Sequence, residues 1–193
     1  METVEVVGGY VFTIPDLRAS DVDLTADRYP VAEVRLARDV VEAEFQRITG
    51  RSFTPRTAFL SVSDIPGWGE LLPFADVASV TVLGASPGPL TVERVGHFAY
   101  VPELPDGTTG IEVDYGWRVT PPGVNRAAKI YARWLLMEDR SGIPDRATSF
   151  QPADGGTYTL ATPGRAGYET GIPAVDAVLD GYRFKVIESV MLG

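Results

Sequence analysis

VAEVRLARDVVEAEFQRITGRSF, Val31 to Phe53, decides the fold. From Val31 the apolar residues Val34, Ala37, Val41, Phe45 and Ile48 recur at intervals of three and four, the period of a helix with one buried face. Pro30 stands where a first helical turn tolerates it. Gly50 ends the run as a glycine just past a helix does. Asp27 is placed to cap the helix and to favour its positive pole. The spacing predicts a helix of about 20 residues with Arg35, Arg38, Glu42 and Arg47 on its outer faces.

Downstream of Phe53 the pattern changes to short apolar runs. Ala58 to Ser63, Val77 to Leu83, Leu90 to Val95, Phe98 to Val101 and Ile111 to Tyr115 read as strands. Gly96-His97 is a hairpin turn signal, and Asp106-Gly107 is a second turn. Residues 56–119 are therefore expected to form an inserted antiparallel β subdomain. Pro121-Pro122-Gly123 closes it. Val124, Ala127, Ala128, Tyr131, Trp134, Leu135 and Glu138 then mark a second amphipathic helix ending near Asp139-Arg140, whose stripe should pack on the first.

Residues 141–169 are dominated by Gly, Pro, Ser, Thr and Ala and read as a flexible loop, with a possible hairpin over Thr157 to Ala161. Ala174 to Tyr182 is a short helix opened by Thr170-Gly171-Ile172-Pro173. Residues 183–193 form an extended tail in which Phe184, Val186, Val190 and Leu192 share one parity, and Glu188 interrupts it. An apolar strand of this kind needs a sheet edge to pair with, in its own chain or another. Upstream of the first helix, residues 1–15 suggest a short strand or ordered arm, and Asp16 to Arg28 a polar loop with a helical turn. The class is α+β: a small helical core of two long amphipathic helices and short ones, an inserted antiparallel β subdomain, and an extended C-terminal arm, all in a single domain over 1–193.

Composition bounds the function. Of 193 residues 45% are hydrophobic and 22% charged, which suits a soluble globular chain; 20 Gly and 15 Pro argue against a pure helix bundle. No apolar run reaches the length of a membrane span, and Met1-Glu2-Thr3-Val4-Glu5 lacks the basic and apolar regions of a signal peptide. Cysteine is absent, so disulfides and thiolate metal sites are excluded. The formal net charge is −9, from 17 Lys+Arg against 26 Asp+Glu, the opposite sign to a general nucleic-acid binder.

Catalytic chemistry finds little support. His97, the one histidine, sits beside a turn glycine and reads as a surface or packing residue without a positioned partner. Ser61 and Ser63 lie in no nucleophile elbow. Asp21, Asp23 and Asp27 resemble a calcium loop only faintly, because Ala26 stands where its glycine belongs; a solvated acidic loop is the simpler reading. Glu93, Glu112 and Asp114 could serve glycoside hydrolysis, but acids on the wet face of a sheet are commoner. Gly164 and Gly167 lack the Lys-Ser/Thr of a phosphate loop, and Gly155-Gly156 reads as a turn. Trp134 belongs to the helix stripe; Trp68 and Trp117 flank glycine turns. Arg47, Arg51 and Arg56 read as a solvated helix end offsetting its negative pole. No catalytic residue, metal site or cofactor is expected.

The order of these motifs resembles a known family. A helix ending in Ile48-Thr49-Gly50-Arg51-Ser52-Phe53, a β insertion, a second helix opened by Pro121-Pro122-Gly123-Val124, a Gly-rich loop and Thr170-Gly171-Ile172-Pro173-Ala174-Val175-Asp176-Ala177-Val178-Leu179 together look like the head-to-tail adaptor (connector) proteins of long-tailed phages, particularly those of actinobacterial phages. The likeness runs from about Asp16 onward. It implies a non-enzymatic virion protein made in the host cytoplasm. Such a protein sits at the neck, in a ring, usually of twelve, beneath the portal, and extends the DNA exit channel. The implied partners are the portal protein, a stopper or tail-terminator protein, further copies of the chain, and genomic DNA passing without sequence-specific contact; the isolated chain is expected to be monomeric. Portal docking would fall to Arg183, Phe184, Lys185, Val186, Ile187, Val190 and Leu192. The family-like positions are Thr170, Gly171, Ile172, Pro173, Asp176 and Leu179, with Thr49, Gly50, Arg51 and Phe53 at the helix end. Twelve copies would carry a charge of about −108, a field that lets DNA slide rather than stick. The alternatives are a stopper or tail-completion protein of the neck and, in another class, a small carbohydrate-binding module or hydrolase.

Overall fold

The computed structural model describes residues 3–6, 9–64, 71–101, 103–138, 149–150, 158–159 and 169–184. Helix α1 spans Ile14–Ser20, α2 Val31–Thr49, α3 Pro122–Glu138 and α4 Pro173–Asp180. Strands β1 to β9 are Thr3–Val6, Arg56–Ser61, Val77–Gly84, Gly88–Pro89, Glu93–Val95, Phe98–Tyr100, Thr108–Tyr115, Ser149–Phe150 and Tyr158–Thr159. This is the expected α+β arrangement, with β2 to β7 all lying between α2 and α3 in the chain.

The helical core forms where the predicted stripes meet. Val34, Val41 and Phe45 of α2 bury against Val124, Ala128 and Tyr131 of α3, and Val175 and Leu179 of α4 close the third side. Phe45 is stacked on Tyr131 at 6.2 Å and meets Phe53 edge-on at 6.5 Å. The segment before α2 adds Val11, Phe12, Leu17, Leu24 and Tyr29 to the same core. The helical turn expected within Asp16 to Arg28 is the short helix Ile14–Ser20, set by the reciprocal capping box of Thr13 and Asp16 and by Leu17, which buries its inner face; loop and turns follow from Asp21.

The main sheet runs β1-β2-β7-β3-β4 with every neighbour antiparallel. Register explains its two faces. Ile111 lies opposite Leu60 and Val82, and Val113 opposite Ala58 and Val80, so all six share the buried face. One step along the pleat, Asp114 lies between Thr57 and Ser79, whose hydroxyls donate to it at 2.6 and 2.7 Å. A bulge at Ala78 shifts the register between Val77 and Ser79. Of the expected run from Leu90 to Val95 only Glu93–Val95 is strand, as β5; Leu90 to Val92 connect it to β4, which ends at Pro89. Strands β5 and β6 form a separate hairpin whose turn is Gly96-His97, with Gly96 at φ 62°, and Asp106-Gly107 turns as expected. The N-terminal strand expectation is met by β1 on the edge of β2. In the 141–169 region Ser149–Phe150 pairs antiparallel with Tyr158–Thr159; the other residues between 139 and 168 lie outside the described ones.

Three assignments on and before α2, one cap and two outward residues, are corrected. Asp27 does not cap the helix: Pro30 is the N-cap, and Asp27 sits in a turn closed by Tyr29 N–H to the Thr25 carbonyl. Arg38 is buried, its guanidinium 3.2 Å from the centre of the Tyr10 ring. Glu42 is buried, accepting from the Val11 N–H at 3.0 Å and pairing with Arg56.

Candidate functional site

Two sequence motifs more than a hundred residues apart meet at the seam between the helical core and the β strands. The first is the end of α2. Thr49 donates its hydroxyl to the Phe45 carbonyl at 2.7 Å and accepts the Arg51 N–H at 3.2 Å. Gly50 turns the chain at φ 72°, the left-handed region that glycine adopts at least cost. Arg51 then points along the seam, nine-tenths buried, and Phe53 enters the helical core.

The second motif is the start of α4. Thr170 is buried and gives both its N–H and its hydroxyl to one Asp176 oxygen, at 3.0 and 2.8 Å. Its oxygen accepts the Ile172 N–H at 3.2 Å. Gly171 supplies a φ of 75°, and Pro173 presets the first helical residue. Thr170, Gly171, Pro173 and Asp176 thus form a self-closed helix start, and Val175 and Leu179 press the helix onto the core. Each residue type in the motif has a local job, so its spacing is fixed by geometry.

The chain leaving α4 ties the two motifs together. Tyr182 meets Phe53 edge-on at 5.3 Å and Trp117 at 5.7 Å. Arg183 pairs with Glu169, with Asp180 at 3.9 Å. Phe184 lies with its ring centre 4.5 Å from the Arg51 guanidinium, 5.6 Å from His97 and 5.0 Å from Phe98. Arg183 and Phe184, the first two residues of the expected docking arm, are thus engaged within their own chain and lie in neither helix nor strand. Lys185, Val186, Ile187, Val190 and Leu192 lie outside the described residues.

Asp76 organises this seam from behind. Its carboxylate accepts from Trp117 Nε1 at 3.0 Å, faces Arg51 at 3.5 Å and lies 2.9 Å from His97 Nδ1. Its backbone is in the left-handed region at φ 55°, and its N–H and carbonyl bond to the His97 carbonyl and the Gly116 N–H. Gly116 is required here: a Cβ would stand 2.3 Å from the Thr54 carbonyl. Nothing in the sequence singled out Asp76 or Tyr182. The only signal was indirect, in that Arg51, His97 and Trp117 are each polar or amphipathic residues needing a buried partner.

The remaining candidates separate. Arg51 is buried and Arg56 half-buried, each paired with an acid, which corrects the solvated helix end; only Arg47 fits it, pairing with Glu44, which raises its pKa. Asp21 accepts the Asp23 N–H and pairs with Arg133 of α3, which corrects its reading as a freely solvated acid. Those bonds hold its carboxyl below the usual 3.8. Glu93 is on the β5–β6 hairpin while Glu112 and Asp114 are on β7, and both oxygens of Asp114 are taken by the Thr57 and Ser79 hydroxyls. Ser61 and Ser63 bond to each other at 2.8 Å. Trp117 turns into the seam, and Trp134 stacks on Tyr131. Trp68 and Gly155, Gly156, Gly164 and Gly167 lie outside the described residues. Among the described residues no group of three His, Asp or Glu could hold a metal, and no helix is long and apolar enough to cross a membrane.

No protein-family model matches the sequence, and no curated protein matches it. Among solved structures, the chain is similar to one in the neck of an empty GTA particle, a neck computed with C6 symmetry. The identity is 15% and the TM-score 0.48, over 94% of this chain and 95% of that one.

Proposed function

We propose that this chain is a structural neck protein of a phage-like particle, an adaptor that forms a ring beneath the portal and carries the DNA exit channel toward the tail. The observation that carries the reading is the junction of the two family-like motifs. Thr49 to Phe53 and Thr170 to Leu179 close one helical core, and the chain emerges from it across the seam at Phe184. A helical core with sheet strands on one side and Phe184 carried onto the seam suits a subunit that holds its neighbours laterally and reaches upward to a portal.

Two further features support assembly. Leu36 is 67% exposed on α2 and stands with Val40 beside Leu135, an apolar strip that a second copy in a ring would cover. The net charge of −9 per copy suits a channel through which phosphates slide. The 141–169 region is the candidate for bridging subunits or facing the lumen. The role is structural, without catalysis.

Native mass spectrometry of the chain alone and mixed with its portal tests the reading. The expected result is monomer alone and ring-sized species with the portal, because the partner completes the interfaces. A mixture with no higher species contradicts it. Leu36→Glu should abolish the rings while leaving the monomer's thermal unfolding unchanged.

A further inference from the structure

We propose that Gly50, Arg51, His97 and Phe98 form a reversible binding shelf for a C-terminal peptide bearing an aromatic residue, filled in cis by Phe184, so that each arm is latched to its own subunit until a partner takes it. This deepens the proposed function, since it assumes an arm that docks elsewhere.

The shelf is shaped for a ring. A Cβ at Gly50 would stand 3.0 Å from the Phe184 ring, so the bare glycine leaves the space the ring occupies. The Arg51 guanidinium supplies a cation 4.5 Å from the ring centre, and Phe98 and His97 form the far wall at 5.0 and 5.6 Å. The shelf also stands without its occupant. Arg51 and His97 are both held by Asp76, and Asp76 by Trp117, none of which depends on Phe184.

The contact sits where it can open. Phe184 is half-buried and the His97 side chain is 49% exposed, so the ring lies at the surface. Two residues earlier the situation differs: Tyr182 packs edge-on against both Phe53 and Trp117 and anchors the chain. The connection between anchor and latch is Arg183, held by partly exposed ion pairs with Glu169 and, at 3.9 Å, with Asp180. Such pairs are weak and screened by salt. Release therefore requires loosening the ion pairs of Arg183 and lifting one ring, with the helical core left closed.

The test uses full-length Phe184→Ala, which empties the shelf, and a synthetic peptide of residues 183–193. Amide shifts of Gly50 and Phe98 are followed by NMR up to millimolar peptide, the order of effective concentration that tethering supplies. The variant should bind about ten-fold more tightly than the wild-type chain, whose own Phe184 competes. A peptide with alanine at position 184 should shift neither residue. Equal binding to both proteins, or no shifts in the variant, overturns the latch. Phe98→Ala added to the variant should weaken peptide binding about ten-fold, since it removes an aromatic wall; unchanged affinity overturns the assigned site. No portal is present in these measurements, so their failure leaves the adaptor reading standing, and absence of rings leaves the latch standing.

Discussion

The helical core and the sheet are assembled from opposite kinds of sequence. The helical core gathers Phe12, Phe45, Phe53, Tyr131 and Leu179 from widely separated parts of the chain, and it closes only when α4 arrives. The buried face of the sheet, with Leu60, Val80, Ile111 and Val113, comes from one continuous stretch. Two cores of this kind need not respond together to damage. The sheet too needs pairs distant in the chain, such as Leu60 with Ile111, but the helical core joins segments from Phe12 to Leu179, farther apart still. The seam between them is of a third kind, made of paired ions and aromatic edges around Asp76 rather than of aliphatic packing.

The comparison breaks most readily at Phe45. Phe45→Ala removes the stack on Tyr131 and the edge contact with Phe53, and should cost about 3–5 kcal/mol of stability, read from denaturant unfolding. Hydrogen exchange should then rise in α2, α3 and α4 together. Ile111→Ala in the sheet should cost about 2–4 kcal/mol, with exchange rising in β2, β3 and β7 while α3 stays protected. If both variants loosen the whole molecule equally, the two cores are one cooperative unit and the contrast is wrong.

The seam should respond more gently. Asp76→Asn keeps a residue type that tolerates the left-handed backbone, so it removes charge without strain. It leaves Arg51 buried without its acid and should cost about 1–3 kcal/mol in thermal unfolding. Thr170→Ala deletes the hydroxyl shared by Asp176 and the Ile172 N–H, and should cost about 1 kcal/mol, seen as fraying of α4 alone.

The smallest effect is one of pH. The Asp23 N–H, and then Arg133, hold the Asp21 carboxyl below its usual 3.8. A carboxyl with a lowered folded pKa contributes stability above its unfolded value, and this is lost as pH falls through the folded value. Wild type should therefore lose stability more steeply than Asp21→Asn below about pH 4, where the unfolded carboxyl begins to bind protons. Parallel acid unfolding curves would remove the tether between the α1–α2 loop and α3.

Periodicity alone carried much of this. The spacing of Val34, Ala37, Val41 and Phe45 marked α2 and its buried face, and the short β-branched runs marked β2, β3 and β7. It failed where burial depends on a partner from elsewhere. Arg38 and Glu42 occupy the flank of α2, and only Tyr10, Val11 and Arg56 make that flank an interior. Asp76 was illegible for the same reason. An isolated acid before a strand announces nothing until Arg51, His97 and Trp117 converge on it. The motif Thr170-Gly171-Ile172-Pro173 was visible as a pattern, and its chemistry, a hydroxyl and a carboxylate closing a helix start, became readable only with the hydrogen bonds in place.

The role proposed for this chain is that of an adaptor in a particle neck. Electron microscopy of necks purified from phage-like particles of the organism that encodes it tests this most directly. The expected result is a ring of this chain directly beneath the portal, with the residues after Phe184 seated against a portal subunit. A ring at another level of the neck, or a neck that lacks the chain, would contradict it.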